Sequence, residues 1–388
     1  MSQPVVDPRL AGVAELLADG VADGRERGAS LCVIQDGEVL LDTWAGWFDE
    51  ERTVPWTHDT LTPVWSISKV MVNLAALVLH DRGELDVDAP VADYWPEFAA
   101  AGKEHVTVAM LLSHASGVSG WDQPVQVDDL YDWERSTAAL AAQAPWWTPG
   151  TATGYHLLNQ GHLVGEVVRR VSGRTVGRFV AEEIAGPLGA DFHLGLGPDD
   201  DHRVSPVTPP QMIDVDMTGL DATHPFVRTF TGPFVPAHEA NTERWRRGAI
   251  PAANGHGNAR SVARIQSIVS HGGELDGVRL LSPATIDRIL RPVSDGWDRV
   301  LDVPLTFGLG WALPDDRIMP SVPAGRRCYW GGLGGSVVVN DLERRRTVAY
   351  VMNRMIFEPV PGHAVARIRP CGDSRSDAYL AAVDEALR

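Results

Sequence analysis

The chain has 388 residues, of which 44% are hydrophobic and 22% charged, and its 34 basic and 51 acidic residues give a formal net charge of −17. This length exceeds the ~250–300 residues at which a single hydrophobic core stops growing, so we expect two closely packed subdomains or one core with a large insertion, and the composition excludes a disordered or fibrous chain. The acidic excess repels phosphates, which argues against nucleic acid and anionic membrane surfaces as partners.

The N-terminal region is predicted to start a β-sheet and then to enter a buried helix. A helix over residues 10–18 precedes two strands over residues 30–44, which alternate in polarity around the turn Asp36-Gly37. Apolar residues then recur at helical spacing and stop at Gly83. A helix is therefore predicted to begin near Ser66 and to hold this serine in its first turn.

The middle of the chain, residues 88–248, is rich in proline, tryptophan and glycine. It contains short helical patterns at residues 108–114 and 160–171, and a glycine ends the second one. We interpret residues 88–248 as a mostly helical inserted domain, so that residues 1–87 and 249–388 together form an α/β sheet domain.

Helical and strand patterns return in the C-terminal region. A helix is predicted over residues 261–271, and Ser282 and Pro283 start another helix as its N-cap and first helical residue. Strands over residues 335–340 and 347–353 flank a charged turn, and a helix with one apolar face ends the chain. Strands from both chain ends are therefore predicted to complete one sheet.

The motif Ser66-Ile67-Ser68-Lys69 is the sharpest chemical feature of the sequence. Its spacing places the hydroxyl of Ser66 and the amine of Lys69 on the same face of one helical turn. A serine becomes a nucleophile when a base takes its proton, and a lysine is such a base only when its pKa lies well below the ~10.4 of a free side chain. Burial and the positive end of a helix both lower the pKa of an amine, and backbone N–H groups of the same turn can hold an oxyanion.

Lysine is rare in this chain, which bears on that motif. The alternative interpretation is an N-cap serine followed by a surface lysine, but 19 serines and two lysines among 388 residues predict only about 0.1 chance matches to this spacing. Arginine, which supplies all the other basic residues, cannot lose its proton. We therefore interpret Lys69 as a functional amine and the second lysine, Lys103, as a solvated loop charge.

Two further segments are candidates for the same chemistry. Tyr155 precedes an apolar helix and could relay a proton, although a lone tyrosine is more often a packing residue. The glycine-rich segment at residues 329–336, which contains Trp330-Gly331-Gly332, directly precedes a strand and would let the backbone approach a ligand closely, although a tight turn is the alternative. By contrast, the serines and histidine of residues 113–116 are interpreted as structural, and Gly372-Asp373-Ser374 as a helix cap.

Metal and disulfide chemistry are not predicted. The 13 histidines form no HExxH pair, and Cys32, Cys328 and Cys371 have no CxxC spacing, so we expect three buried free thiols. No apolar run of ~18 residues is present, nor a basic start followed by an apolar stretch. We therefore expect a cytoplasmic protein with no membrane partner, no metal and no other cofactor, and its oligomeric state is not predicted.

Six sequence markers occur along almost the whole chain in a fixed order. They are Ser66-Ile67-Ser68-Lys69; Gly83-Glu84-Leu85-Asp86 with Pro90; Leu111-Leu112-Ser113-His114-Ala115-Ser116-Gly117; Pro149-Gly150 with Tyr155; Pro187-Leu188-Gly189; and Phe307-Gly308-Leu309-Gly310-Trp311 followed by Trp330-Gly331-Gly332 and Gly334-Gly335-Ser336. This order resembles the serine β-lactamase and penicillin-binding-protein superfamily, in the class C-like branch that includes family VIII carboxylesterases.

The resemblance implies a β-lactamase-like fold of the α/β (α+β) class, with an antiparallel sheet flanked by helices and an inserted, mostly helical domain. It implies that Ser66 is the acylated nucleophile and Lys69 its base. Tyr155 would pass the proton to the leaving group and later activate water or an alcohol, and the backbone N–H groups of Ser66 and Leu333 would form the oxyanion hole. Ester hydrolysis would then proceed through an acyl-enzyme.

The sequence departs from the β-lactamases of that branch at two motifs. Where they have Tyr-x-Asn, it has Tyr155-His156-Leu157, so the amide that binds a lactam side chain is missing unless a shift of the local backbone lets Asn159 replace it. Where they have Lys-Thr-Gly, it has Trp330-Gly331-Gly332, which removes the cation that would meet a β-lactam carboxylate. Family VIII esterases carry this Trp-Gly-Gly form, and both changes favour neutral esters over penicillins.

We therefore predict a serine carboxylesterase that acts on small, largely apolar esters. Its predicted substrate-binding residues are Trp65, Asn159, Trp330, Gly331 and Gly332, with Trp146 and Trp147 as further candidate pocket walls. An acyltransferase, or an amide or β-lactam hydrolase of the same fold, is the alternative because the acylation half-reaction is shared. A non-catalytic ligand-binding or scaffold protein is disfavoured because Ser66, Lys69 and Tyr155 are all present.

Overall fold

Strands from both ends of the chain form one antiparallel sheet. The computed structural model describes residues 3–122, 124–211, 220–360 and 369–388. Its strands are β1 Val5–Val6, β2 Gly28–Gln35, β3 Glu38–Gly46, β4 Thr62–Pro63, β5 His193–Leu194, β6 Gly255–Gly257, β7 Glu274–Leu275, β8 Val278–Arg279, β9 Ser294–Trp297, β10 Pro304–Phe307, β11 Arg327–Gly331, β12 Val337–Asp341 and β13 Arg346–Met352. Its α-helices are α1 Ala11–Ala22, α2 Ile67–Asp81, α3 Val108–Leu112, α4 Trp133–Ala142, α5 Asn159–Ser172, α6 Val176–Val180, α7 Pro225–Thr231, α8 Glu243–Arg247, α9 Ala259–Ser270, α10 Pro283–Ile289 and α11 Ser374–Ala386. Six strands pair in the order β1-β3-β2-β13-β12-β11.

Helices cover both faces of this six-stranded sheet. Helix α9 packs on β2, β12 and β13, while α1 contacts β3 and α11. The hydroxyl of Thr347 in β13 lies 2.8 Å from that of Ser270 in α9, whereas the ring of Tyr350 lies 5.0 Å from that of Tyr379 in α11. Residues three apart in a strand point to opposite faces. The predicted antiparallel sheet flanked by helices is confirmed.

Most of the predicted elements are present, with shifted ends. The first strand pair turns at Asp36, with φ 51°, and Gly37, with φ 84°, which are the left-handed conformations of a two-residue hairpin. The helix predicted near Ser66 is α2, with Ser66 as its N-cap. Gly173 ends α5 with a φ of 69°, and α1 continues beyond its predicted end to Ala22.

The middle of the chain is mainly helical. Helices α3 to α8 all fall within residues 88–248, the range predicted as an insert. Helix α2 packs against α5 and α6, so it lies where the sheet part meets the helical part. The boundaries at residues 87/88 and 248/249 stay a prediction, and residues 1–2, 123, 212–219 and 361–368 of the predicted domains lie outside the described residues.

The prediction that Lys103 is a solvated charge is wrong. Its side chain is fully buried, and its ammonium donates to the backbone carbonyls of Ala100 at 2.7 Å, Ala141 at 3.0 Å and Gln143. Ala141 and Gln143 lie at the C-terminal end of α4, where the last carbonyls have no partner within the helix. A buried ammonium satisfies them, so Lys103 has a structural role.

Three smaller expectations can be compared with the structure. Cys32, Cys328 and Cys371 are buried and free, as predicted. Asp373 caps α11 as predicted, because its carboxylate accepts the backbone N–H groups of Arg375 and Ser376. In the part of the chain that the structure describes, every helix is too short or too polar to cross a bilayer.

Candidate active site

Ser66 lies at the junction between a short strand and a buried helix. It follows Trp65, whose φ of 52° is in the left-handed region. A non-glycine residue in that region costs about 1–3 kcal/mol and persists only where surrounding contacts hold it. Here the N–H of Val64 donates to the Gly255 carbonyl at 2.9 Å, and the N–H of Gly255 donates to the Ser68 hydroxyl at 2.8 Å. Strand β6 therefore fixes the turn that presents Ser66.

Lys69 has the surroundings that a basic amine requires. Its Nζ lies 3.0 Å from the Ser66 hydroxyl oxygen and also donates to the carbonyls of Leu157 at 2.7 Å and Ala252 at 3.1 Å. Burial lowers the pKa of the Lys69 amine well below its usual value. A neutral amine has two N–H groups and one lone pair. The two carbonyls accept two N–H groups of Lys69, and the remaining position on its nitrogen faces the Ser66 hydroxyl oxygen.

The side chain of Tyr155 lies close to Lys69 and Trp330. Its hydroxyl oxygen accepts the indole N–H of Trp330 at 3.3 Å, and the Lys69 amine lies 4.8 Å from the centre of its ring. Burial raises the pKa of Tyr155 above its usual value, against the opposing effect of hydrogen bonds from Ser66 and Trp330. Tyr155 is therefore a phenol at neutral pH. The ring of His114 packs against it with 4.8 Å between the ring centres.

Asp298 holds the backbone of Tyr155 and was not singled out in the sequence. Its buried carboxylate accepts the N–H of Tyr155 at 3.1 Å and the hydroxyl of Thr153 at 3.0 Å. It also accepts the N–H groups of Val300 at 2.9 Å and Leu301 at 2.8 Å. Burial raises the pKa of this carboxyl, against these four hydrogen bonds. No local motif marks Asp298, because Tyr155 lies 143 residues away in the chain.

The turn before Leu333 closely approaches the segment before Ser66, at Gly332. A methyl group on Gly332 would lie only 2.3 Å from the carbonyl oxygen of Val64, so a side chain there would separate the two turns. Among the hydrogen bonds of the described residues, the amide of neither Ser66 nor Leu333 donates to a protein acceptor. Both N–H groups are thus available to a substrate oxygen, and their role as an oxyanion hole stays a prediction.

Asn159 does not join this group of side chains. It is fully buried at the start of α5, and its amide donates to the Val118 carbonyl at 2.6 Å. The local backbone thus turns this amide inward, and no exposed surface is left through which a substrate could reach it. His156, which follows Tyr155, is also buried, between the Ser116 hydroxyl at 2.6 Å and the Gly154 carbonyl at 2.7 Å. Burial lowers the pKa of His156 to about 4, so it is neutral.

The four predicted tryptophan walls lie at different depths. Trp65 and Trp330 adjoin the reacting groups, and both are almost fully buried. Trp147 packs on Gly154, where an added methyl group would lie 2.2 Å from its ring. Trp146 is partly exposed and lies 3.9 Å from the Arg228 guanidinium. Trp65 and Trp330 are therefore nearer to Ser66 and Tyr155 than Trp146, and the role of the four tryptophans as pocket walls stays a prediction.

Comparison with known proteins extends the similarity over the whole chain. The family model for β-lactamases matches residues 13–369. The chain is 35% identical over 363 residues to the esterase/β-lactamase LipL of Mycobacterium tuberculosis, which covers 90% of this chain and 82% of LipL. A crystal structure of a family VIII carboxylesterase superposes with a TM-score of 0.89 at 36% identity, over 99% of each chain. EstA from Arthrobacter nitroguajacolicus superposes with a TM-score of 0.84 at 28% identity, over 99% of this chain and 98% of EstA.

The fold and the relatives agree with the resemblance inferred from the sequence. The six-stranded antiparallel sheet with helices on both faces is that of the β-lactamase fold. The family model spans most of the chain. The sequence relative is named an esterase/β-lactamase, and one of the superposed structures is named a family VIII carboxylesterase. We conclude that this chain belongs to the β-lactamase family and is an esterase-like serine hydrolase of that family.

Proposed function

We propose that this protein is a carboxylesterase that cleaves small, largely apolar esters through an acyl-Ser66 intermediate. The observation that carries the proposal is the 3.0 Å contact between the Ser66 hydroxyl and Lys69. Lys69 is a buried amine that also donates hydrogen bonds to two backbone carbonyls. Relatives named as esterases support an ester as the bond that is cleaved.

Acylation begins with proton transfer from Ser66 to the neutral amine of Lys69. The serine oxygen attacks the ester carbonyl, and the N–H groups of Ser66 and Leu333 stabilise the oxyanion that forms. As the tetrahedral intermediate collapses, the Tyr155 phenol gives its proton to the leaving alkoxide. The ammonium of Lys69 then returns a proton to Tyr155. The products of this half-reaction are the free alcohol and acyl-Ser66, with Lys69 again an amine.

Deacylation uses the same groups in reverse order. Water gives a proton to Tyr155 while Tyr155 passes its own proton to Lys69, and the resulting hydroxide attacks the acyl carbonyl. The second tetrahedral intermediate then expels the Ser66 oxygen, which regains its proton from Lys69. The carboxylic acid leaves, and the resting enzyme is restored.

The neutral surroundings of Ser66 support an uncharged substrate. Among the described residues, the hydrogen-bond partners of the Ser66 and Tyr155 side chains are Lys69 and Trp330. Burial lowers the pKa of Lys69, which favours its uncharged form, and the indole of Trp330 carries no charge. An anionic group such as a β-lactam carboxylate would be desolvated there without a fixed cation. The rings of Tyr155, Trp330 and Phe307 instead offer apolar contact.

The test compares p-nitrophenyl acetate and butyrate hydrolysis by the wild type, Ser66→Ala and Ser172→Ala. Ser172 is the matched control, because its hydroxyl donates to the Val168 carbonyl at the end of α5. We expect Ser66→Ala to lose at least ~10³-fold in kcat and Ser172→Ala to keep the wild-type rate. After incubation with a p-nitrophenyl phosphonate, intact-protein and peptide mass spectra should locate one adduct on Ser66.

Three results would favour the alternative functions. Equal rates for the wild type and Ser66→Ala would exclude the hydrolase. If a chromogenic cephalosporin were hydrolysed about as fast as the esters, β-lactams and not neutral esters would be the substrate class. Faster transfer of the acyl group to an added alcohol than to water would identify an acyltransferase.

A further inference from the structure

A buried cluster of charged side chains lies behind the turn that carries Leu333. The guanidinium of Arg375, in α11, donates to the Gly334 carbonyl at 3.0 Å and to the Asp373 carboxylate at 2.6 Å. It also donates to the Glu26 carboxylate at 2.9 Å. The side chains of Arg375, Asp373 and Glu26 are 3%, 1% and 0% exposed. The turn is therefore in direct contact with an ion cluster that water does not reach.

Glu26 connects this cluster to the rest of the sheet domain. One of its carboxylate oxygens accepts the hydroxyl of Tyr350, in β13, at 2.6 Å and that of Tyr379, in α11, at 3.1 Å. Glu26 itself precedes β2. Because its partners lie on a central strand and on the last helix, the cluster holds the Arg375 guanidinium in one position.

The turn is closed by two hydrogen bonds of its own, from the Gly332 N–H to the Ser336 carbonyl at 2.7 Å and from the Gly335 N–H to the Gly332 carbonyl at 3.3 Å, and the cluster adds contacts at Gly334 and Gly335. Gly334 and Gly335 have φ values of 91° and 127°, which residues with a Cβ rarely adopt, so no side chain anchors the turn at these positions. The Gly334 carbonyl is held by Arg375 on one side and by the N–H of Ile356 at 3.0 Å on the other. The Asp373 carboxylate fills the space beside Gly335, where a methyl group would lie 2.1 Å from its oxygen.

We propose that Arg375 is a positioning residue for the reaction, which together with Glu26 and Asp373 keeps the Leu333 amide aimed at the substrate carbonyl oxygen. The inference rests on the proposed function, in which that amide stabilises the oxyanion. Loss of one oxyanion donor costs ~10²–10³ in kcat, and a displacement of ~1 Å costs ~10². An interaction that forms mainly in the transition state changes kcat more than KM.

The experiment compares Arg375→Met with Arg327→Met in ester hydrolysis. Arg327, the first residue of β11, is also buried; it pairs with Asp341 at 2.7 Å and donates to the backbone carbonyls of Pro323 and Ala324. Both variants thus lose buried ion pairing and carbonyl contacts, but only Arg375→Met loses a contact with the turn that carries Leu333. We expect kcat of Arg375→Met to fall ~10- to 100-fold with KM within ~3-fold of wild type. Arg327→Met should keep kcat within ~3-fold at a temperature where circular dichroism shows both to be folded.

An inhibitor that forms an oxyanion separates positioning from general loss of structure. A trifluoromethyl ketone adds to Ser66 as a hemiketal oxyanion, so its Ki should rise in Arg375→Met in parallel with the fall in kcat/KM. Arg375→Lys keeps the charge beside Glu26 and Asp373 but replaces the planar guanidinium by a single ammonium. We expect kcat of Arg375→Lys to fall ~3- to 10-fold. If Arg375→Met does not fold, this variant alone tests whether Arg375 positions the Leu333 amide.

Two results would overturn the proposal. One is an equal loss of kcat in Arg375→Met and Arg327→Met, and the other is wild-type kcat and Ki in Arg375→Lys. Failure of the proposed function is distinguishable from either result, because the wild type and Arg327→Met would then show no Ser66-dependent ester hydrolysis.

Discussion

The carboxylate of Asp298 accepts the backbone N–H of Tyr155 at 3.1 Å, although the two residues lie 143 positions apart. The same carboxylate binds Thr153, so it holds the segment that leads to the phenol at two points. A carboxylate buried without a cation is tolerated where hydrogen-bond donors replace its water shell. Asp298 therefore ties the loop after β9 to the backbone of a reacting group.

Removal of this carboxylate should damage stability and catalysis together. In Asp298→Ala four donors lose their acceptor, and each unpaired buried donor costs ~1–3 kcal/mol. We therefore expect a loss of at least ~3 kcal/mol in the free energy of unfolding, measured in urea, and a kcat at least ~10-fold lower. Asp298→Asn keeps an acceptor oxygen for Tyr155 and should restore most of the rate. Wild-type kcat in Asp298→Ala would show that Tyr155 is held by other contacts.

The pH dependence of ester hydrolysis should follow the ionisation of Lys69. Burial lowers the pKa of its amine, so the base form accumulates as the pH rises through this lowered value, and kcat/KM rises with it. The plateau should begin below the pH at which a free lysine titrates. The pKa of Tyr155 is raised by burial and that of His156 is lowered to about 4, so neither group should reverse this limb near neutrality. Kinetics on an uncharged ester test this, and a rate that falls with rising pH would contradict it.

Replacement of each lysine by arginine separates the reacting amine from the structural one. Lys69→Arg should lose at least ~10³-fold in acylation, because a guanidinium stays protonated and cannot accept the Ser66 proton. Lys103→Arg should keep kcat, because the Lys103 ammonium is held by backbone carbonyls and by the ring of Phe98, and should lose ~1–3 kcal/mol of stability to overpacking. The burst of p-nitrophenolate and the mass of the acyl-enzyme measure acylation. A Lys69→Arg variant with most of the wild-type rate would remove Lys69 from the role of base.

These two lysines show which information a local pattern carries. The side-chain nitrogens of both lysines are buried against backbone carbonyls, so the rarity of lysine alone does not distinguish them. The difference is Ser66, one helical turn before Lys69, and that spacing can be recognised in the sequence. Helix α2, the β2–β3 hairpin and the cap of α11 were predictable for the same reason, because each depends on residues close together in the chain.

The supporting residues could not be predicted in this way. Asp298 and Arg375 meet partners 143 and 349 residues away in the chain, and no periodicity or motif records such contacts. Strand β11 could not be predicted from its pattern either. Every one of its residues is buried, so polar positions do not alternate with apolar ones. Asn159 was considered as a substitute amide from its position near Tyr155, but the start of α5 turns it inward.

Gly332 provides the most direct test of the oxyanion hole. Because an added methyl group would lie 2.3 Å from the Val64 carbonyl oxygen, Gly332→Ala must move the Leu333 amide away from Ser66. We expect kcat to fall ~10²-fold with little change in KM, since a shift of ~1 Å removes most of the stabilisation of the oxyanion. Gly12→Ala in α1 is the matched control, because nothing lies within 4 Å of its added methyl group and alanine favours the helix by ~1 kcal/mol. Steady-state kinetics with p-nitrophenyl butyrate measure both variants. Equal activity of the two would show that the Leu333 amide does not stabilise the oxyanion.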